Sequence, residues 1–217
     1  MDSHAKPRRI WLRAGAAAAL SPFIPSGFAA SDTPVIQGIR RMVGDVSVNG
    51  SPARTGQPIQ AGDEIVTGPG SEAIFVMGQD AFLLRDTSVV RFGAASAATF
   101  MRIVTGKILS VFGRGQKSIM ASTAIIGIRG TGCYIEESPG HTYFCLCYGE
   151  AEIVPTAAPQ ERETLRTRHH DHPIYINANP AMPTSMVPAE VINHSDAELA
   201  LLESLVGRTP PFKSEPY

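Results

Sequence analysis

The sequence contains no Cys-x-x-Cys pair, no Cys-x-x-Cys-His string and no Gly-x-Ser-x-Gly elbow. The usual marks of dithiol oxidoreductases, attached haem and serine hydrolases are therefore missing. Charge is not in excess either: 19 Lys and Arg stand against 20 Asp and Glu, a formal charge of −1. That balance offers no basic footprint for DNA or RNA, and no run of like charge marks an electrostatic tail. After the N-terminus, no apolar stretch approaches the roughly 20 residues needed to span a bilayer, so a mature chain without a membrane span is expected.

The chain does have the material for a core, with 43% hydrophobic residues in 217, punctuated by 20 glycines and 17 prolines. Many turns and short strands follow from that mixture. Val46 and Val48 alternate with polar neighbours and run into Asn49-Gly50, which favours a type I′ hairpin because both residues tolerate positive φ. Further strand-like runs, such as Ala73 to Met77, Lys107 to Phe112, Ser118 to Ile128 and Thr142 to Tyr148, are separated by Gly68-Pro69-Gly70, Gly113-Arg114-Gly115 and Ser138-Pro139-Gly140. The spacing predicts an all-β fold, a two-sheet sandwich or a short β-solenoid of many short strands.

Residues 1–29 read as a signal peptide. Lys6, Arg8, Arg9 and Arg13 precede the apolar run Ala14 to Leu20, and Gly27-Phe28-Ala29 supplies small residues for cleavage after Ala29. Arg8-Arg9-Ile10-Trp11-Leu12-Arg13 resembles a twin-arginine export motif, with an ordinary Sec signal as the alternative. The periplasm is the expected location. Cleavage would remove four basic residues and one acidic, Asp2, and leave a net acidic chain.

Gly62-Asp63-Glu64-Ile65-Val66-Thr67 and Thr123-Ala124-Ile125-Ile126-Gly127-Ile128-Arg129-Gly130-Thr131 resemble the two signature blocks of the FecR-type domain, with Ala124 in place of a usual proline. The resemblance spans roughly residues 38 to 153 and defines a β domain over 36–154. It implies a β-rich module of bacterial envelopes. Relatives in iron-uptake signalling use such domains outside the cytoplasm to relay a receptor's state. This chain shows no internal transmembrane helix and no sigma-factor-binding segment, so signalling would need an envelope protein partner. Arg129 is expected to satisfy backbone carbonyls at a strand crossing, and no second carboxylate is placed beside Asp63 or Glu64 to form an acid/base couple.

Residues 155–217 form a C-terminal extension expected to wrap over the β core. Within it, Ser195-Asp196-Ala197-Glu198 is a capping box. Leu199, Leu202, Leu205 and Val206 follow as an apolar stripe and Gly207 as the stop, which predicts one α-helix over Asp196 to Val206.

A cluster of thiols and imidazoles carries the most specific chemistry. Cys145 and Cys147 lie on one face of a strand by alternation, and a hairpin centred at Pro139 would put Cys133 opposite Cys145. His169, His170 and His172 follow downstream, with His141 at the far end of the hairpin. In an extended chain His170 and His172 share one face, with His169 on the other. Four outcomes are open: a Zn, Fe or Cu centre held by Cys133, Cys145 and Cys147 with at least one of the three histidines; a disulfide with one thiol left over; plain burial of the thiols; and thiol redox or cysteine-based hydrolytic chemistry. A non-enzymatic binding or sensing module with a Cys/His metal centre is the leading expectation, and a redox-active metalloprotein or thiol-redox protein is the alternative.

Overall fold

The computed structural model describes residues 34–94 and 99–213. The export signal expected within residues 1–29 lies outside them. Among these residues fourteen strands and one α-helix follow each other: β1 (Gly38–Val43), β2 (Val46–Val48), β3 (Ser51–Pro52), β4 (Glu64–Thr67), β5 (Glu72–Met77), β6 (Asp80–Leu84), β7 (Ser88–Phe92), β8 (Met101–Val111), β9 (Gln116–Met120), β10 (Ala124–Ser138), β11 (His141–Pro155), β12 (Glu163–Thr167), β13 (Ile174–Asn177), β14 (Met186–Pro188) and α1 (Asp196–Leu205). The all-β expectation with one C-terminal helix holds. All fourteen strands belong to one continuous sheet, antiparallel except where β8 meets β9.

Local chemistry explains several elements. Asn49 and Gly50 both have positive φ, 53° and 75°, and close the hairpin that pairs Val48 with Ser51. Asp63 fixes the turn before β4 by accepting from the Gln60 amide at 2.7 Å and from the Asn49 side chain at 2.7 Å. Ser195 caps α1: its hydroxyl accepts from the Glu198 amide while the Glu198 carboxylate accepts from the Ser195 amide at 2.9 Å. The helix ends one residue before the expected Val206, which forms the C-cap.

Three long strands change partners along their length. β8 pairs with β7 through its first half and with β6 and β10 through its second, β10 with β9 and then β8, and β11 with β13 and then β12. The bent sheet so formed has two apolar faces. Phe75, Phe82, Ile108, Ile135, Phe144 and Leu146 point into the main core. Their strand neighbours Ile74, Leu83, Leu109, Tyr134, Tyr143 and Cys145 point the other way, into a second core roofed by Leu199, Leu202 and Val206 of the α1 region. Side chains alternate with period two, so a sheet buried on both faces must read as a continuous apolar run. The extension beyond residue 155 thus does two jobs, adding β12–β14 to the sheet and laying α1 over its outer face.

Candidate metal centre

Cys145 and Cys147 both stand on the outer face of β11, in the second core. Between them the ladder is irregular: Leu146 opposes Cys133 and Tyr148 opposes Gly132, which leaves Cys147 as the extra residue of a β-bulge. The turn after β12 brings the imidazoles. Asp171 closes this turn, its carboxylate accepting from the Thr167 hydroxyl at 2.6 Å and the Arg168 amide at 3.1 Å. The His170 amide ties it to β11 by donating to the Cys147 carbonyl at 3.0 Å. His170 itself sits at φ 49°, in the left-handed region that non-glycine residues seldom adopt. A third segment, just ahead of α1, delivers His194, whose ring stacks on Tyr134 at 4.6 Å between centroids.

Four donor atoms converge. The Cys145 and Cys147 sulfurs and one ring nitrogen each of His170 and His194 all lie within 4.8 Å of one another. Cys145 Sγ is 3.4 Å from His170 Nδ1, and His170 Nδ1 is 3.1 Å from His194 Nε2. A tetrahedral zinc ion with Zn–S of about 2.3 Å and Zn–N of about 2.0–2.1 Å would set S···N edges near ~3.6 Å and the N···N edge near ~3.3 Å. The two spacings, Cys145 Sγ to His170 Nδ1 and His170 Nδ1 to His194 Nε2, match those edges to within a few tenths of an ångström.

The ring protons are drawn away from the centre. His194 Nδ1 lies 2.6 Å from the Ile192 carbonyl, an oxygen that only accepts, so Nδ1 carries the proton and Nε2 presents a lone pair inward. His170 Nε2 faces the Asp196 carboxylate at 3.2 Å, which turns the Nδ1 lone pair toward the sulfurs. These outer partners are the kind that orient metal-bound imidazoles. Asp196 is buried, and His169 Nε2 approaches both of its oxygens at 2.9 Å. A cavity of about 610 Å³, lined by Gly130, Tyr148, Thr167, His169 and Phe212 among others, lies on the His169 side of the cluster.

Electrostatics favour one shared negative charge on the two thiols. The hydrogen bond from Cys147 pulls Cys145 well below the ordinary thiol range, and His170 and His194 add to it against the cost of burial. Cys147 is pushed up, first by burial and then by its bond to Cys145. Burial lowers the His170 pKa, but the hydrogen bonds and charges of Cys145 and Asp196 outweigh it and leave the ring more basic than usual. Two sulfurs and two inward lone pairs packed this closely need a proton or a cation among them.

The structure separates the residues that the sequence had grouped. Cys133 opposes Leu146, not Cys145, and its sulfur points into the main core. Its thiol is pushed up by burial and by the Cys145 charge. The hairpin turns on two residues, Pro139 and Gly140, with Ser138 opposite His141, and a one-residue shift of register moves a side chain to the other face. Cys133 is therefore neither a ligand nor a disulfide partner for the other two, and all three cysteines are free. His172 is exposed beside Pro173 and Met186, away from the sulfurs, because the turn at His170 breaks the expected alternation. His169 reaches Asp196 but not the sulfurs. His141 packs against Tyr175 at the far end of β11. Arg129, expected to satisfy backbone carbonyls at a strand crossing, is exposed and stands opposite Glu150 in the β10–β11 ladder. His194 and Asp196 are the two residues of the cluster for which no role in it was expected.

No family model matches the chain, and no curated protein matches it. Among solved structures, two crystal structures of a "putative anti-sigma factor" from Parabacteroides distasonis are similar at 12% identity. One aligns with a TM-score of 0.48 over 58% of this chain and 59% of that one, the other with 0.49 over 64% of each. The chain thus spans less than two thirds of the length of either.

Proposed function

We propose that this chain is an exported, non-enzymatic binding or sensing module of the FecR type that carries one transition-metal ion at Cys145, Cys147, His170 and His194. The observation that carries the reading is the convergence of those four donor atoms within 4.8 Å, with the outer ring nitrogens of His194 and His170 facing the Ile192 carbonyl and the Asp196 carboxylate. Two thiolates and two imidazoles suit Zn, Fe or Cu(I) and disfavour Mg and Ca. A closed four-ligand set favours zinc in a structural role over an open catalytic site. The FecR-like blocks supply the envelope context, and no described helix is long and apolar enough to cross a membrane.

One arrangement favours the second reading, a thiol-reactive protein. Cys145, His170 and Asp196 follow each other at 3.4 and 3.2 Å in the order nucleophile, base and orienting carboxylate. Cys145 is fully buried, however, and a catalytic thiolate needs access to its substrate. Loading the purified protein with Co(II) separates the two. A tetrahedral S₂N₂ site should give one cobalt per chain with visible d–d bands and thiolate charge-transfer absorption, retained in Cys133→Ala and lost in Cys145→Ser. A parent protein that takes up no cobalt but is alkylated at Cys145 within seconds at neutral pH would instead establish the reactive thiol.

Export by the twin-arginine route fits a metal site, because the thiols would meet their ion in the reducing cytoplasm before the folded protein crosses. Replacing Arg8 and Arg9 by lysine is expected to retain the precursor in the cytoplasm. Equal amounts of mature protein in the periplasm of mutant and parent would reject that route in favour of a Sec signal.

A further inference from the structure

We infer that the metal ion is the fastener of the C-terminal segment, so that its occupancy decides whether residues 189–212, with α1, stay docked on the outer face of the sheet. The inference rests on the metal reading above and adds a consequence to it. The four ligands come from three parts of the chain: two from the sheet, one from the turn after β12, and one, His194, from the segment two residues ahead of α1. Asp196, the first residue of the helix, binds the outer nitrogens of both His169 and His170. A metal at this site therefore joins the start of the helix directly to β11.

Without the ion, the segment keeps its other attachments, among them the Arg85 bond to the Asn193 carbonyl at 2.7 Å, the Asn193 side-chain amide bond to Glu136 at 2.6 Å, the buried bond from the Tyr148 hydroxyl to Glu203, and the packing of Ile192, Leu205 and Phe212 on the second core. Leu199, Leu202 and Val206 enter the second core, Arg85 pairs with Glu198 at 2.7 Å, and Arg208 reaches the Gln79 carbonyl at 2.7 Å. Ahead of the helix, the Tyr143 hydroxyl donates to the Glu190 carbonyl at 2.9 Å and accepts from the Ile192 amide at 3.3 Å. A ten-residue helix is too short to persist in water by itself, so the order of the segment rests on these contacts and the ion together, against its chain entropy. By contrast, β8, β10 and β11 keep the ladders and the main core that hold them, so release is confined to the C-terminal segment. It uncovers Val76, Leu83, Leu109, Tyr134 and Tyr143, the apolar face that α1 now roofs.

The test is hydrogen exchange, read by mass spectrometry, on the whole mature protein in three states: loaded with zinc, stripped by a chelator, and reloaded. Native mass spectrometry of the same samples reports zinc occupancy. Amides of Leu199 to Leu205 are expected to exchange at least about tenfold faster in the stripped protein and to lose nearly all protection, while those of Ile108 and Ile135 stay strongly protected, with α1 protection restored on reloading. His194→Ala, which keeps three ligands on the sheet and its turn, should show fast α1 exchange even with zinc present. Zinc bound with unchanged α1 protection overturns the fastener and leaves the metal site standing. Loss of protection in α1 and the sheet strands alike overturns it as well, since the ion would then hold the whole fold. No zinc bound in the parent removes the site and the fastener with it.

Discussion

Replacing Cys147 by serine is expected to lower the melting temperature of the zinc-loaded protein by roughly 8–16 °C and to abolish its response to chelators. A ligand that binds only the native state stabilises it by about 4 kcal/mol when present at a thousand times its Kd. For a chain of this size each kcal/mol corresponds to roughly 2–4 °C. The thiolate contributes more than a donor atom, because it neutralises the ion in a fully buried position where no water replaces it. Asp196→Asn should be milder. It keeps the size of the side chain but removes the charge that draws the His170 Nε2 proton outward, and outer partners of this kind are worth about 10–100-fold in metal affinity. Cys133→Ala, on the other face of the sheet, should leave the chelator response intact. Calorimetric scans of the three variants with and without chelator decide the matter. A parent whose melting temperature ignores the chelator has no stabilising metal.

How much of this was readable beforehand differs from residue to residue. Alternation alone put Cys145 and Cys147 on one face, and the capping box and leucine stripe located α1 to within one residue. The register of the β10–β11 hairpin was not readable in the same way. Cys133 to Ile135 and Tyr143 to Tyr148 are apolar on both faces, because one face meets the main core and the other is roofed by α1. Polarity therefore gave no sign of which residues shared a side. Only the turn length decided it, and Pro139-Gly140 as a two-residue turn shifts every pair by one from a turn centred on Pro139. His194 was missed for another reason. It stands in a polar stretch with no periodicity, and Asp196 has an ordinary explanation as an acidic residue in the first turn of a helix. The signal that was present is indirect: the stripe Leu199 and Leu202 has to bury itself somewhere, and whatever precedes the helix travels with it to the outer face of the sheet.

Gly106→Ala is expected to cost roughly 2–5 kcal/mol even in metal-free protein, which separates the framework from the ion it is proposed to hold. β8 leaves β7 at Thr105 and joins β10 at Gly106 and β6 at Ile108, so the strand changes partners across this residue. The backbone at Gly106 has φ +90°, a conformation that any side chain strains. A Cβ there would also lie 2.5 Å from the Ser88 Cα, which is backbone and has nowhere to move, since Ser88 is fixed by its amide bond to Thr67 Oγ1 at 3.0 Å and by accepting from the Lys107 amide at 2.8 Å. Gly78 supplies the control. It too has positive φ, 63°, but a Cβ there meets nothing within 4 Å, so Gly78→Ala carries only the backbone strain of about 1–2 kcal/mol. Urea unfolding of both variants in the presence of chelator measures the difference, which is the steric part of the cost. If Gly106→Ala is no less stable than Gly78→Ala, then Ser88 yields and the partner change of β8 does not depend on a bare backbone at this position.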